Sequence, residues 1–465
     1  TEFTSAGSRP VGPVAREPLP HQVDSIESWK AAGRRGILKH ATGSGTTFTA
    51  LIAMKEHLAA GKPVLVLVPS VLLLAQWKEE IQREVTGATV LVCGGGHDRW
   101  RRNRRLRAFT SPASSDPRVV LSTMQTAVTE EFRRALNAGD HLMLVVDEVH
   151  QIGSPTCRQF LEVDCGPRLG LSATPERYGD GEGTSAILEY FAQILQPEVS
   201  LSDAIRAGRL VPYRYEPIHV DLVDSELEEW DELSQQIARI FAQRHAASPE
   251  GARDDAQLSL LLIKRARIAK LARGKAALAL EVLSKQAGPT DRWLVYCEDS
   301  NQLASVRASL ASLPLNILEY HTGMTGAAAE TLEEFRFYGG VLLSIRCLDE
   351  GVDIPEITHA LILASSQNPR QFIQRRGRVL RTAPHKTLSH VYDAIVVPPR
   401  DDELKGLHSL VAAEIARAMQ FAEGALNASA SVWLQRILID RGWDVDALLS
   451  MGDELDGTGQ ETANG

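Results

Sequence analysis

Short apolar runs and helical stretches alternate from about residue 18 to 198. Val64–Val68, Thr89–Cys93 and the segments 119–122, 142–146 and 169–171 are almost unbroken runs of strand-favouring residues. Each is followed by a stretch with helical spacing. Strands apolar on both faces and separated by helices predict a parallel sheet covered on both sides. A second alternation opens near Trp293, with strands expected at 293–296, 317–321, Gly340–Ile345, 360–363 and 388–392. Between the two, 225–244 and 258–285 carry charged residues at helical spacing, broken by the polar stretch 247–255. The expected class is therefore α/β, with two tandem parallel-sheet domains, a helical segment between them and a helical C-terminal tail.

The boundaries follow from that pattern. Residues 1–17 form a Gly- and Pro-rich flexible lead-in, 18–200 the first α/β domain, 201–221 a connection and 222–285 the helical segment. Residues 286–400 make the second α/β domain, and 401–465 a helical tail with a polar, Gly-rich end. Composition changes little in this picture. Hydrophobic residues are 44% and charged residues 23%, an ordinary globular balance. A net charge of −9 argues against bulk electrostatic coating of nucleic acid, but leaves room for a local basic groove. The five cysteines are scattered without ligand-like spacing, which fits reduced thiols in a cytoplasm. No apolar run is long enough to cross a bilayer, so no membrane partner is expected.

The chemistry starts after a short strand at 35–39. His40-Ala41-Thr42-Gly43-Ser44-Gly45-Thr46-Thr47 leads into the helical stretch 48–58. Glycines between strand and helix let backbone N–H groups and the helix dipole close around phosphate oxygens. Such loops usually end Gly-Lys-Ser/Thr, the lysine neutralising phosphates and the hydroxyl ligating Mg²⁺. Thr47 stands at the hydroxyl position and Thr46 at the lysine position; a threonine cannot supply the charge. The apolar run 142–146 ends in Asp147-Glu148-Val149-His150, acidic residues at the C-terminal end of a parallel strand. Asp147 is suited to hold the metal and Glu148 to orient or deprotonate a water. Ser172 and Thr174, in Leu171-Ser172-Ala173-Thr174-Pro175, offer short hydrogen bonds that can couple the crevice to the other lobe. Arg378 and Arg381 fall three apart, on one helical face, where both can reach a phosphoryl group.

In order and spacing these segments resemble superfamily 2 helicases, in the group that includes restriction-enzyme motor subunits and XPB-like DNA helicases. The resemblance spans about residues 16–397. It implies two RecA-like domains with ATP and Mg²⁺ in the cleft between them, Asp147 and Glu148 from the first, arginine fingers Arg378 and Arg381 from the second. It also implies that Gln22 reads adenine, that Gln374 opens the last motif, and that Gly351 and Asp353 lie near the ribose and γ-phosphate. Phosphate contacts with a nucleic-acid strand are implied at Ser70, Gln76, Thr123 and Gln125, and at His321 and Thr322 in the second lobe. The departure from the family is Thr46. A lesion confined to one side chain, with Thr47, Asp147, Glu148, Arg378 and Arg381 kept, reads as a point substitution in an otherwise intact motor.

One further segment, Arg99-Trp100-Arg101-Arg102-Asn103-Arg104-Arg105-Leu106-Arg107, sets six arginines around a tryptophan. Arg101 and Arg104 are candidates for tracking a phosphate backbone, with Trp100 either stacking on a base or packing inward. The leading expectation is an ATP-dependent, largely sequence-independent DNA translocase in repair or restriction-type defence, weakened in ATPase by Thr46. A protein partner would supply any nuclease or targeting function. The alternatives are a non-hydrolysing nucleic-acid-binding module that keeps the motor fold, and an RNA helicase.

Overall fold

The computed structural model describes residues 16–112, 116–177, 180–246, 252–288, 291–321, 324, 328–345, 354–364, 377–397 and 410–442. Seven strands form the first sheet: β1 (Arg35–His40), β2 (Val64–Val68), β3 (Thr89–Cys93), β4 (Arg118–Thr123), β5 (Met143–Asp147), β6 (Arg168–Ser172) and β7 (Ile194–Val199). Their order is β3-β4-β2-β5-β6-β1-β7, and every pairing is parallel. The period of two along each strand divides the core between its faces. Leu38, Val64, Val66, Val68, Val119 and Val145 pack one way. Ile37, Leu65, Leu67, Val120, Leu144 and Val146 pack the other. All five residues of β2 are fully buried, which is why that strand is apolar without interruption.

The second sheet contains β8 (Tyr213–Val220), β9 (Arg292–Cys297), β10 (Ile317–Tyr320), β11 (Gly340–Ile345), β12 (His359–Ile362) and β13 (Ser389–Val396). Its order is β10-β11-β9-β12-β13-β8, again parallel throughout. The molecule is thus two tandem parallel-sheet domains of the RecA-like kind.

Two strands escape the hydrophobic pattern, and both are edge strands. β7 contains Pro197, which cannot donate to a ladder and is tolerated because only β1 pairs with it. β8 contains Pro217 and falls in the segment read as inter-lobe connection, yet it pairs with β13 along its whole length. The helical segment forms Asp224–Ala246, Ala252–Leu271 and Gly274–Gln286. The break at Ala272–Arg273 comes where Glu226 accepts a hydrogen bond from the Arg273 N–H (2.9 Å) and Gly274 lies so close to Val220 that a Cβ would stand 3.0 Å from it. Trp230, Ile237, Leu262 and Leu283 from these helices join the core of the second lobe. The tail helices Leu410–Glu423 and Ser429–Arg441 cover the free edge of β8. There Asn427 takes the place of a neighbouring strand, accepting from Tyr215 N (2.9 Å) and donating to Tyr215 O (2.8 Å). Among the described residues no helix is long and apolar enough to cross a membrane.

Candidate nucleotide cleft and strand-contact surface

The sheet order brings the separated motifs together. β6 lies between β1 and β5, so the phosphate loop after β1, Ser172 at the end of β6 and Asp147 at the end of β5 share one rim. At the loop, Gly43 and Gly45 have φ of 87° and 90°, conformations in which only glycine is unstrained. A Cβ on Gly45 would fall 2.7 Å from Gln22 Nε2, and one on Gly43 2.8 Å from Leu210. The helix Thr46–Ala59 then begins with no side chain capping its first turn. Those N–H groups face the loop, as a phosphate cradle requires.

The helix Pro20–Ala31 braces this loop from behind. Gln22 is buried, accepts from Leu19 N (3.0 Å) and donates to Gly45 O (3.1 Å). His21 Nε2 lies 3.3 Å from Ser44 O. Thr46 Oγ1 stands 3.2 Å from Ser44 Oγ, so the threonine's polar group is directed into the loop. Lys39 is committed elsewhere: its ammonium lies 3.1 Å from Glu176 and 3.5 Å from Glu198. Burial works against that charge, but the two carboxylates outweigh it and hold the lysine above its ordinary pKa.

Asp147 closes β5 with its carboxylate gripped from two sides. Trp77 Nε1 donates to Oδ2 (2.7 Å), and the Glu148 N–H donates to Oδ1 (3.0 Å). Desolvation pushes this carboxyl up from the usual range, opposed by those two donors. Glu148 takes a left-handed backbone (φ 48°) that turns the chain into the 3₁₀ segment Val149–Gly153. From it runs a polar chain. Glu148 Oε2 lies 3.4 Å from His150 Nδ1, which lies 3.3 Å from Ser172 Oγ, which accepts from Thr174 N (3.1 Å). The two motifs read separately from the sequence are one network here.

The second lobe meets this rim at the arginine segment. Gly377 approaches Thr42 closely enough that its Cβ would be in contact at 3.5 Å. Val211 N donates to Leu380 O (2.8 Å), and Leu210 pairs with Arg381 in an antiparallel bridge. Leu210 therefore lies against both Gly43 and Arg381, just after the helical turn that holds Arg378. Gln374, Gly351, Asp353 and Thr322 lie outside the described residues.

The strand-contact candidates occupy the same end of the first sheet. Ser70 caps the helix Val71–Glu84, accepting from Leu73 N (3.3 Å), and Gln76 on that helix is exposed. Thr123 is buried with its hydroxyl committed to Thr126 Oγ1 (3.0 Å), leaving the exposed Gln125 as the freer group. Gly94 and Gly95, at the end of β3, press against these residues. Their Cβ positions are filled by Thr126 and Thr123 in one case and by Val71 in the other. His321 stands across the molecule, 3.5 Å from Glu319. Trp100 packs inward: it is buried, edge-on to Phe132 at 5.2 Å, with the Arg101 guanidinium over its ring at 4.6 Å.

Comparison with known proteins gives this arrangement a family. Residues 16–177 match the model for the type III restriction enzyme res subunit, and 274–383 match the helicase conserved C-terminal domain. The chain is a superfamily 2 helicase of the XPB and restriction-enzyme type. It is 27% identical over 387 residues to the DNA 3'-5' translocase XPB2 of Sulfurisphaera tokodaii, covering 79% of each chain. It is 27% identical to a putative DNA 3'-5' helicase Rad25 of Haloarcula marismortui, covering 78% of this chain and 50% of that one. To the DNA 3'-5' helicase XPB of Mycobacterium tuberculosis it is 25% identical, covering 75% and 55%. The helicase thus spans about half the length of these last two relatives. In fold it is similar to the ATP-dependent type ISP restriction-modification enzyme LlaBIII bound to DNA (TM-score 0.61, 18% identity, 88% of this chain and 30% of that one). It is also similar in fold to the Pyrococcus furiosus Hef helicase domain (TM-score 0.50, 16% identity, 82% and 97%).

The family's use of ATP can be tested on the helicase's own residues. The two left-handed glycines leave a cradle that a Cβ would fill, and a recessed carboxylate stands at the neighbouring strand end; both fit a nucleotide with a divalent ion. The Trp77–Asp147 bond is the main feature that reading the sequence missed. Trp77 follows the candidate Gln76 directly, but nothing in that spacing says that the indole turns toward a carboxylate 70 positions away.

Proposed function

We propose that this helicase is an ATP-driven DNA translocase whose hold on nucleotide is weakened at Thr46. One observation carries the reading: the phosphate loop, the Asp147–Glu148 pair and the arginine segment converge on a single rim, joined through Ser172 on one side and Leu210 on the other. Backbone N–H groups from Thr42 to Thr47 would receive the phosphates, and Gln22 the adenine, its bracing of Gly45 carrying base occupancy to the loop. Thr47 and Asp147 would hold Mg²⁺, which supplies charge neutralisation to the phosphates when bound. Glu148 would orient and deprotonate the attacking water, with His150 linking it to Ser172 and Thr174. Arg378 and Arg381 would stabilise charge on the transferring phosphoryl group, with Gln374, Gly351 and Asp353 as further candidates for nucleotide contact.

DNA is favoured because several relatives are named as DNA translocases or helicases. Ser70, Gln76, Thr123 and Gln125 would hold its phosphates in the first lobe, His321 and Thr322 in the second. Such contacts are independent of sequence and sensitive to salt. A nuclease or targeting subunit would come from a partner, in repair or in restriction-type defence.

Thr46 also supports a second reading, a nucleic-acid-binding module that keeps the motor fold without turnover. Lys39, locked by Glu176 and Glu198, gives no substitute charge. The test is Thr46→Lys, assayed for ATP hydrolysis with single-stranded DNA, duplex DNA, RNA and no polymer. A charged hydrogen bond is worth about 1.5–3 kcal/mol, so kcat/KM with DNA should rise roughly 10- to 100-fold. A lysine form with no polymer-stimulated turnover sinks the motor and leaves the binding module. Stimulation by RNA alone replaces the substrate.

A further inference from the structure

The stretch 99–109 after β3 is built differently from the rest of the surface. Trp100 and Leu106 pin it to the core, each essentially fully buried. Between and around those pins Arg99, Arg102, Arg104, Arg105 and Arg107 are all exposed. Among the described residues none of these five makes an ion pair. Elsewhere in this lobe, surface arginines hold carboxylates: Arg34 with Glu56, Arg133 with Glu162, Arg134 with Glu130, Arg158 with Glu182, Arg177 with Asp180. Two acidic groups beside the stretch, Asp98 and Glu131, are both taken by Arg101. In a chain of net charge −9, five guanidinium groups on one short segment with no ion pair among the described residues are a local inversion of the protein's field.

The backbone adds an independent observation. Asn103 and Arg104 have φ of 55° and 52°, in the left-handed region. Asparagine visits that region readily, whereas arginine is strained there and glycine would not be. The turn keeps a costly residue whose one distinguishing property is its charged, bidentate head. The stretch is also continuous with the strand-contact rim. It leaves β3 through Gly94 and Gly95, which press on Thr123, Thr126 and Val71, next to the cap residue Ser70.

We infer that Arg99, Arg102, Arg104, Arg105 and Arg107 form a second grip on DNA, taking the phosphate backbone beyond the rim of the first lobe. The grip belongs to the first lobe alone, so it holds DNA without nucleotide and whatever residue stands at position 46. It rests on the proposed DNA substrate but assigns a different surface from the path across both lobes. An acidic protein segment is the competing occupant. Continuity with the rim at Ser70 and Thr123 favours the phosphate backbone.

The test is duplex DNA binding by fluorescence anisotropy over a range of salt concentrations, without nucleotide. The parent chain is compared with R102A/R104G/R105A/R107A and with the charge-preserving variant R102K/R105K/R107K. Each lost phosphate contact removes about 0.9 from the slope of log K against log salt, so the four-fold variant should flatten it by roughly 3–4. The lysine variant should keep most of the slope. The single variant Arg104→Gly should weaken binding while melting no lower than the parent, which separates lost charge from lost fold. A four-fold variant with the parent's slope overturns the inference, as does loss of polyglutamate binding with DNA binding intact. In the same assay Ser70→Ala with Gln76→Ala should weaken DNA binding. If that pair weakens it and the arginine variant does not, the second grip alone falls; if the parent binds no DNA, both readings fall.

Discussion

Two tight turns of the first lobe use the left-handed region of backbone space for opposite ends. At the phosphate loop the residues with positive φ are Gly43 and Gly45; at the basic turn they are Asn103 and Arg104. In the first, side chains are absent because the Cβ positions are already occupied by Gln22 and Leu210, which leaves bare backbone at the loop. In the second, a side chain is retained although the backbone under it is strained. A glycine marks a place where the main chain is the working part. A large polar residue in the same conformation marks a place where its head group is.

The largest effect that should follow from this contrast is at Gly45. Gly45→Ala adds a Cβ in a conformation that L residues resist and sets it 2.7 Å from Gln22 Nε2. Left-handed strain of about 1–2 kcal/mol and overpacking of about 1–3 kcal/mol together predict roughly 4 kcal/mol of destabilisation. Denaturant unfolding measures it, and nucleotide binding should vanish with it. Arg104→Gly, the reverse exchange, should not destabilise at all. If the two substitutions behave alike, the contrast between the turns is empty.

A somewhat smaller effect separates the loop's support by pH. His40, directly before the loop, is buried between Ser25 Oγ (3.2 Å) and Pro197 O (3.2 Å). Desolvation first, and the neighbouring His21 second, push its pKa down to about 4 against a partial opposing effect of the Pro197 carbonyl. The folded state thus binds fewer protons than the unfolded chain between pH 6.5 and about 4. Stability is full above that window and falls as pH drops through it, by up to about 3 kcal/mol for this one group, with no further loss below. His40→Gln should remove its share of the slope. His359 in the second lobe, likewise lowered to about 4 by desolvation, remains as an internal reference. An unchanged slope in His40→Gln would mean that the imidazole is already protonated when folded.

How much of this was open to the sequence differs by region for physical reasons. Central strands such as β2 announce themselves because both faces are buried and every position must be apolar. Edge strands β7 and β8 tolerate Pro197 and Pro217 and polar neighbours, so their pairing leaves no periodic trace. At the cleft, Thr42–Thr47, Asp147, Glu148, Ser172 and Thr174 were readable as motifs because local chemistry dictates their spacing. The links among them were not. His150 between Glu148 and Ser172 depends on strand order, which places β6 beside β5, and Gln22 against Gly45 depends on how the helix Pro20–Ala31 packs on the loop. The same limit applied to Trp100, whose neighbours in sequence are arginines but whose neighbour in space is Phe132.

Trp77 offers the finest test, because it lies between the two kinds of site. Its helix starts at the cap residue Ser70, under the glycines that lead to the basic turn, while its indole N–H holds Asp147 (2.7 Å). Trp77→Phe keeps most of the buried ring and removes that donor. Asp147 would keep only the Glu148 N–H, and a lost hydrogen bond to a charged group predicts about 2 kcal/mol of destabilisation. Packing alone would account for that number, so the deciding measurement is a different one. In the Thr46→Lys protein, Trp77→Phe should raise the Mg²⁺ concentration needed for nucleotide binding severalfold and leave Mg²⁺-free binding unchanged. It should also weaken the dependence of hydrolysis on DNA, since the helix that bears Ser70 and Gln76 would no longer be tied to Asp147. If the Mg²⁺ requirement and the DNA dependence both stay at the parent's values, the indole is core material. The strand-contact rim and the nucleotide cleft are then joined by the sheet and nothing more specific.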